Sequence, residues 1–154
     1  MKSAGPLKHF IFAFAIALVL YVIFYNFIEH RRTRRGPWRA TFTTEGGVPA
    51  LIVNEPQLGI SNVTMTFPNE RISPTNLPLV FAQPQPVPFD VPFGKCLFMD
   101  TTFQPGTVVF NLFGHEIQLI PRVLTIDRIE FPWQSHTTIA LTNRVTPADS
   151  LNKR

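Results

Sequence analysis

The sequence predicts a mainly β protein with one N-terminal transmembrane α-helix, the β part being an antiparallel, sandwich-like or barrel domain of about eight strands. Three observations lead there. Residues 10–28 form a run of nineteen in which Asn26 is the only strongly polar member. Fourteen of the fifteen prolines lie from residue 37 onward, leaving few windows for an amphipathic helix of ordinary length. The same region repeats short stretches that alternate apolar and polar residues. The implied organisation is a short tail over 1–9, a transmembrane helix over 10–28, a basic linker over 29–37, the β domain over 38–143 and a polar tail over 144–154.

At 1.5 Å per residue the apolar run reaches roughly 28 Å, close to the hydrocarbon thickness of a bilayer. A soluble core helix keeps a polar stripe, whereas Phe10, Ile11, Phe12, Phe14, Ile16, Leu18, Val19, Leu20, Val22 and Ile23 spread around this wheel and leave no face for water. A cleaved signal sequence has a shorter apolar stretch and a small-x-small site, whereas this run ends in Phe27-Ile28-Glu29-His30-Arg31. Tyr21 and Tyr25, one turn apart, suit an interfacial aromatic belt, and Trp38 is expected just beyond the headgroups. Ala13 and Ala17 form a small-x-x-x-small pair through which another helix can approach. No Asp, Glu, Lys or Arg lies inside the run, which argues against an ion pathway.

Arg31, Arg32, Arg34 and Arg35 form a collar directly after the run, with Arg39 beyond it, against Lys2 and Lys8 before it. Positive charge resists translocation, so the count favours an outside N-terminus and a cytoplasmic β domain, the reverse arrangement placing the domain in a periplasm or lumen. The collar also pairs with anionic headgroups. It conceals the character of the rest. The chain carries a net +4, yet residues 40–152 hold five Lys/Arg and nine Asp/Glu, a net of −4. An acidic body without a basic stripe argues against nucleic acid as a partner.

The strands follow in order. Residues 38–43 alternate, and Glu45-Gly46-Gly47 turns the chain into 50–53 as a first hairpin. Residues 60–67 put Val63, Met65 and Phe67 on one face and Asn62, Thr64 and Thr66 on the other. Further strands are expected over 77–82 and 96–103. Gln104-Pro105-Gly106-Thr107 has the central residues of a type II turn and leads into 108–113. Phe113-Gly114-His115-Glu116 is read as the turn of the clearest hairpin, returning through 117–120, with Leu124 and Ile126 extending the pattern beyond Pro121. A final run, 137–142, closes or edges a sheet. Between them, residues 83–94 carry prolines at nearly every second position and a doubled Val-Pro-Phe, which reads as a strap or edge strand anchored by Phe89 and Phe93.

The search for chemistry is mostly negative. The lone Cys96 excludes an intramolecular disulfide and reads as a small buried side chain on a strand. His9, His30, His115 and His136 are scattered, and no His-Glu-x-x-His, phosphate loop or nucleophile elbow is present. Asp90, Asp100, Glu116, Asp127 and Glu130 are the carboxylates that would have to converge for acid–base chemistry or cation binding. No catalytic, cofactor-binding or metal-ligating residue is assigned, and no cofactor is expected. The reading is a non-enzymatic accessory, scaffold or assembly subunit of a membrane complex, with the lipid bilayer and an integral-membrane protein as partners. The alternative is a tethered module for a lipid, glycan or peptide, lined by Phe110, Phe113, Trp133 or His136.

Overall fold

A computed structural model describes residues 5–32 and 34–142. The first four residues, including Lys2, Thr33 of the collar and the polar tail expected over 144–154 lie outside the described residues. The chain divides into two compact units, one through Arg34 and the other from Arg35 onward.

The first unit is a single helix, α1 (Pro6–Arg32), long and apolar enough to cross a membrane. It is longer than the expected 10–28 because helix formation continues through Lys8 and His9 at one end and Glu29 to Arg32 at the other. Pro6 suits the first turn, where its missing N–H has no intrahelical acceptor to lose. No residue of α1 is buried by the chain itself. Asn26, the polar exception, donates its amide to the Val22 carbonyl at 2.9 Å and so needs no outside partner for that donor.

The second unit has two sheets. The first contains β1 (Arg39–Glu45), β2 (Val48–Glu55), β3 (Ile60–Thr66), β4 (Asn76–Val80) and β11 (Thr138–Ala140), in the order β11-β3-β2-β1-β4. The other contains β5 (Phe89–Val91), β6 (Gly94–Asp100), β7 (Thr107–Leu112), β8 (His115–Ile120), β9 (Val123–Ile126) and β10 (Ile129–Phe131), in the order β10-β9-β8-β7-β6-β5. The sandwich-like, mostly antiparallel class is therefore the one expected. Its eleven described strands exceed the expected eight because β5, β9 and β10 are short pieces set off by two-residue turns.

Local backbone chemistry explains the tight turns. Gly46-Gly47 and Phe113-Gly114 both have positive φ at each central residue, the twist that matches flanking antiparallel strands. Asp127-Arg128 does the same between β9 and β10. The turn of the β7–β8 hairpin is shorter than the sequence suggested: Leu112 pairs directly with His115, so His115 and Glu116 belong to the strand. The Gln104–Pro105 bond is cis, unlike the type II turn expected there. Gly106 remains indispensable, since a Cβ there would fall 1.8 Å from the Asp100 carbonyl oxygen.

Two prolines sit inside strands. Pro49 accepts from the Phe67 N–H at the end of the β2–β3 ladder, so its missing donor lies where the ladder stops. Pro78 lies on edge strand β4, where such a loss is tolerated. The proline-rich stretch resolves into both of its readings: Phe89–Val91 is an edge strand, and Phe93 packs down into the core. One pairing departs from the antiparallel expectation. β11 runs parallel to β3. No crossover helix is needed, because the chain reaches β11 from β10 in the opposite sheet through residues 132–137.

The core lies between the sheets. Val63, Met65 and Phe67 are buried as the alternation of β3 requires, joined by Phe42, Leu51, Phe110, Ile117 and Leu119. Aromatic edges meet ring faces here, Phe42 against Phe93 at 5.2 Å and Phe81 against Phe110 at 5.5 Å.

Candidate functional site

The β unit has two ends, distinguished by where the chain enters and by what it exposes. Residues 35–39 come in at what is here the proximal end. Trp38 fixes that end: its indole N–H donates to the Gly106 carbonyl at 3.0 Å, and its own carbonyl accepts from Phe81 at 3.0 Å. The Ala82 carbonyl then accepts from the Gln104 amide at 3.0 Å, which ties the end of β4 to the 101–106 loop. Trp133 packs against Trp38 in a tilted arrangement, ring centroids 5.2 Å apart, and its indole N–H donates to the Ile120 carbonyl, next to the Pro121-Arg122 turn.

Trp38 was expected among the membrane-interface residues. It is instead fully buried, and the expectation is corrected. The sequence placed it only ten residues after the apolar run, but the alternation of residues 38–43 makes it the first inward-facing residue of the sheet. Tyr21 and Tyr25 are exposed on α1 with ring centroids 6.1 Å apart. Arg31 stands over the Phe27 ring at 5.5 Å, and Arg32 pairs with Glu29 at 3.2 Å. Arg34 and Arg35 are exposed, as are Ala13 and Ala17 on the helix surface.

The proximal end is basic and apolar. Arg35, Arg39 and Arg122 are exposed there, Arg39 directly opposite Val80 in the β1–β4 register. Val80, opposite Arg39, and Phe103, in the loop tied to the end of β4, expose large apolar side chains at this end, while Leu77, Phe98 and Ile129 expose others elsewhere on the unit. The acids at this end are Asp100 and Glu55. Hydrogen bonding from Thr102 holds the Asp100 carboxyl below its ordinary range. Glu55 is fully buried, capping the short turn Pro56–Leu58 by accepting from the Leu58 N–H; its Oε1 has no hydrogen-bond partner among the described residues. The other acids, Glu45, Glu70, Asp90, Glu116, Asp127 and Glu130, lie at the distal end or along the strands leading to it, with Arg71, Lys95 and Arg128. The acidity of the domain is thus segregated.

Of the five carboxylates considered for chemistry, only Glu116 and Asp127 come together, and they do so through the backbone. Asp127 Oδ1 accepts from the Glu116 N–H at 2.9 Å and Oδ2 meets His115 Nδ1 at 2.5 Å. The Asp127 N–H returns a bond to the Glu116 carbonyl at 2.8 Å. This arrangement closes the turn after β9 onto the start of β8. Asp90 is paired with Lys95 at 2.8 Å, and Glu130 is exposed. Among the described residues no group of three or more His, Cys, Asp or Glu is placed to hold a metal ion.

Sequence reading missed the His115–Asp127 pair because it assigned His115 to a turn, and missed Glu55 because nothing in its neighbours announces burial. A Glu-Pro-x-x-Gly string ahead of a strand was the available signal for a capped turn. Cys96 is fully buried on β6 as expected, and burial pushes its thiol up to about 11, against a weaker opposing hydrogen bond to Phe98. The four aromatics considered as a ligand lining do not act together. Phe110 is core, Phe113 stacks on Phe93 at 5.5 Å, Trp133 covers Trp38, and His136 is exposed in the loop before β11.

Comparison of the chain with protein-family models, with curated proteins and with solved structures gives no match.

Proposed function

We propose that this chain is a single-pass membrane protein whose β unit serves as a non-enzymatic accessory, scaffold or assembly subunit of a membrane complex. The observation that carries the reading is α1 itself. It spans Pro6–Arg32, carries an apolar run without a polar face over residues 10–28, and has no buried residue. Such a surface needs lipid or another helix as its solvent. The β unit, by contrast, satisfies its own core, and its polar contacts close turns. The link is also short. Six residues separate Arg32 from Arg39, so the tether reaches at most roughly 25 Å even when fully extended. A β unit on so short a leash meets the bilayer surface and the membrane proteins beside it.

The positive charges of the collar support a cytoplasmic β unit and an outside N-terminus. Purification in mild detergent is the test of the functional reading. Stoichiometric integral-membrane partners are expected to co-purify, and recovery of a lone monomer under conditions that preserve other complexes overturns it. Protease treatment of sealed vesicles tests sidedness: cleavage within the β unit only after the cytoplasmic face is opened supports the orientation.

A further inference from the structure

The proximal end of the β unit combines exposed apolar side chains with an excess of arginine over acid, whereas Ile129 and Leu77 are exposed where acids predominate. Val80 and Phe103 are 56% and 54% exposed, and Val87 is 39% exposed. Arg39 lies across from Val80, Arg122 sits in the turn whose neighbour Ile120 accepts from Trp133, and Arg35 stands where the chain comes in. Large apolar side chains among arginines match the interfacial layer of a bilayer, where rings and aliphatic groups enter the acyl boundary while guanidinium groups meet phosphates. The distal end repels such a surface. Away from the proximal end, along the strands and at the distal turns, acids outnumber bases six to three, so one orientation toward a negatively charged plane is favoured and the opposite one opposed.

We infer that this end of the β unit is a second membrane contact, docking on anionic phospholipid headgroups with Phe103 and Val80 inserted and Arg39 and Arg122 paired to phosphate. The inference rests on the reading of α1 as a membrane anchor, and goes beyond it by assigning lipid contact to the β unit's own surface. Docking holds the unit in one orientation. The acidic distal end is then presented away from the lipid, toward whatever the complex brings there. Asp100, the one exposed acid among the proximal residues, is held by its Thr102 hydrogen bond and leaves three arginines in excess over it by two.

Full-length protein reconstituted into phosphatidylcholine vesicles, with and without phosphatidylserine, tests this. Three single-cysteine variants each carry a fluorophore quenched by nitroxide-labelled lipid: Phe103→Cys at the proximal end, Leu77→Cys at the distal end of β4, and Ala15→Cys within α1. Native Cys96 is buried and stays unlabelled. Quenching is expected at position 103 in phosphatidylserine vesicles and not at 77. Adding Arg39→Glu with Arg122→Glu should lower the docked-to-undocked ratio by at least about fivefold per arginine removed, the equivalent of about 1 kcal/mol each. Quenching at 15 without quenching at 103 overturns the docking inference alone. Absence of quenching at 15 overturns the anchor, and docking with it. Equal quenching at 103 and 77 also refutes an oriented contact. Quenching at 103 that ignores phosphatidylserine and both arginines refutes the anionic pairing.

Discussion

The helix and the β unit dispose of the same side chain in opposite ways. Phe10, Phe12 and Phe14 on α1 are 79%, 68% and 69% exposed, whereas Phe42, Phe67 and Phe110 in the β unit are essentially inaccessible. Phenylalanine is equally apolar in both places, so the difference lies in what the backbone offers it. A lone helix has no second layer to close over its side chains, and it displays them on all sides. Two facing sheets provide one, and alternation along each strand sends every second residue into it. The contrast teaches that α1 is built for an apolar solvent supplied from outside, while the β unit makes its own.

The strongest way to break that contrast is to remove a ring from the self-made solvent. Phe110→Ala should destabilise the β unit by about 3–5 kcal/mol, because Phe42 and Phe81 both pack on that ring. Chemical denaturation followed by tryptophan fluorescence measures it, and a loss below 1 kcal/mol would mean that the site collapses without a cavity. The matching change on the helix, Val19→Arg near the centre of the apolar run, should leave the β unit's unfolding unchanged and disfavour membrane insertion by about 2.5–3.5 kcal/mol. Alkaline extraction of membranes reads the second effect. If the same substitution instead unfolds the β unit, the two regions are not independent.

Smaller effects sharpen the picture of the β unit alone. Asp127→Ala removes the acceptor of the Glu116 N–H and the partner of His115, and is expected to cost about 1–3 kcal/mol in the same denaturation assay. Asp127→Asn, which still tolerates the positive φ of 49° and can accept from the Glu116 N–H, should recover part of that loss. Full recovery would show that the carboxylate charge facing His115 contributes nothing. The smallest effect is a pH dependence. The Cys96 thiol, raised by burial from an ordinary value near 9.0 to about 11, is favoured in its protonated form by folding. Its contribution is complete below the unfolded value and is lost as pH rises from there through about 11. Cys96→Ala should flatten stability in that alkaline window alone. Maleimide labelling of Cys96 in the native protein at neutral pH would contradict the buried thiol.

Much of the architecture was legible before any coordinates. The apolar run, the hairpin at Gly46-Gly47, the alternation through Val63, Met65 and Phe67, and the burial of Cys96 all depend on a residue and its near neighbours. The misreadings share a different character. His115 was placed in a turn because Phe113-Gly114-His115-Glu116 looks turn-like, but the pairing of Leu112 with His115 is a property of two strands. Its meeting with Asp127 depends on the β8–β9 register, in which Ile117 faces Ile126. Trp38 was assigned to the membrane interface by its proximity in sequence to the collar. The alternation of residues 38–43 turns it inward, but what receives it, the Gly106 carbonyl sixty-eight residues away and the Trp133 ring, is supplied by the tertiary fold.

By itself the sequence determined that the chain has an apolar helix long enough for a membrane, a basic collar and a β unit of sandwich-like class. These are properties of period, composition and local backbone preference, each decided within a few residues. Only the tertiary structure decided that Arg35, Arg39 and Arg122 share one end of the β unit with Val80 and Phe103, and that most of its acids lie away from it. Net charge is a sum and carries no direction. Strand order and register convert positions scattered from Arg35 to Glu130 into two unlike ends, and no local pattern in the chain encodes that division.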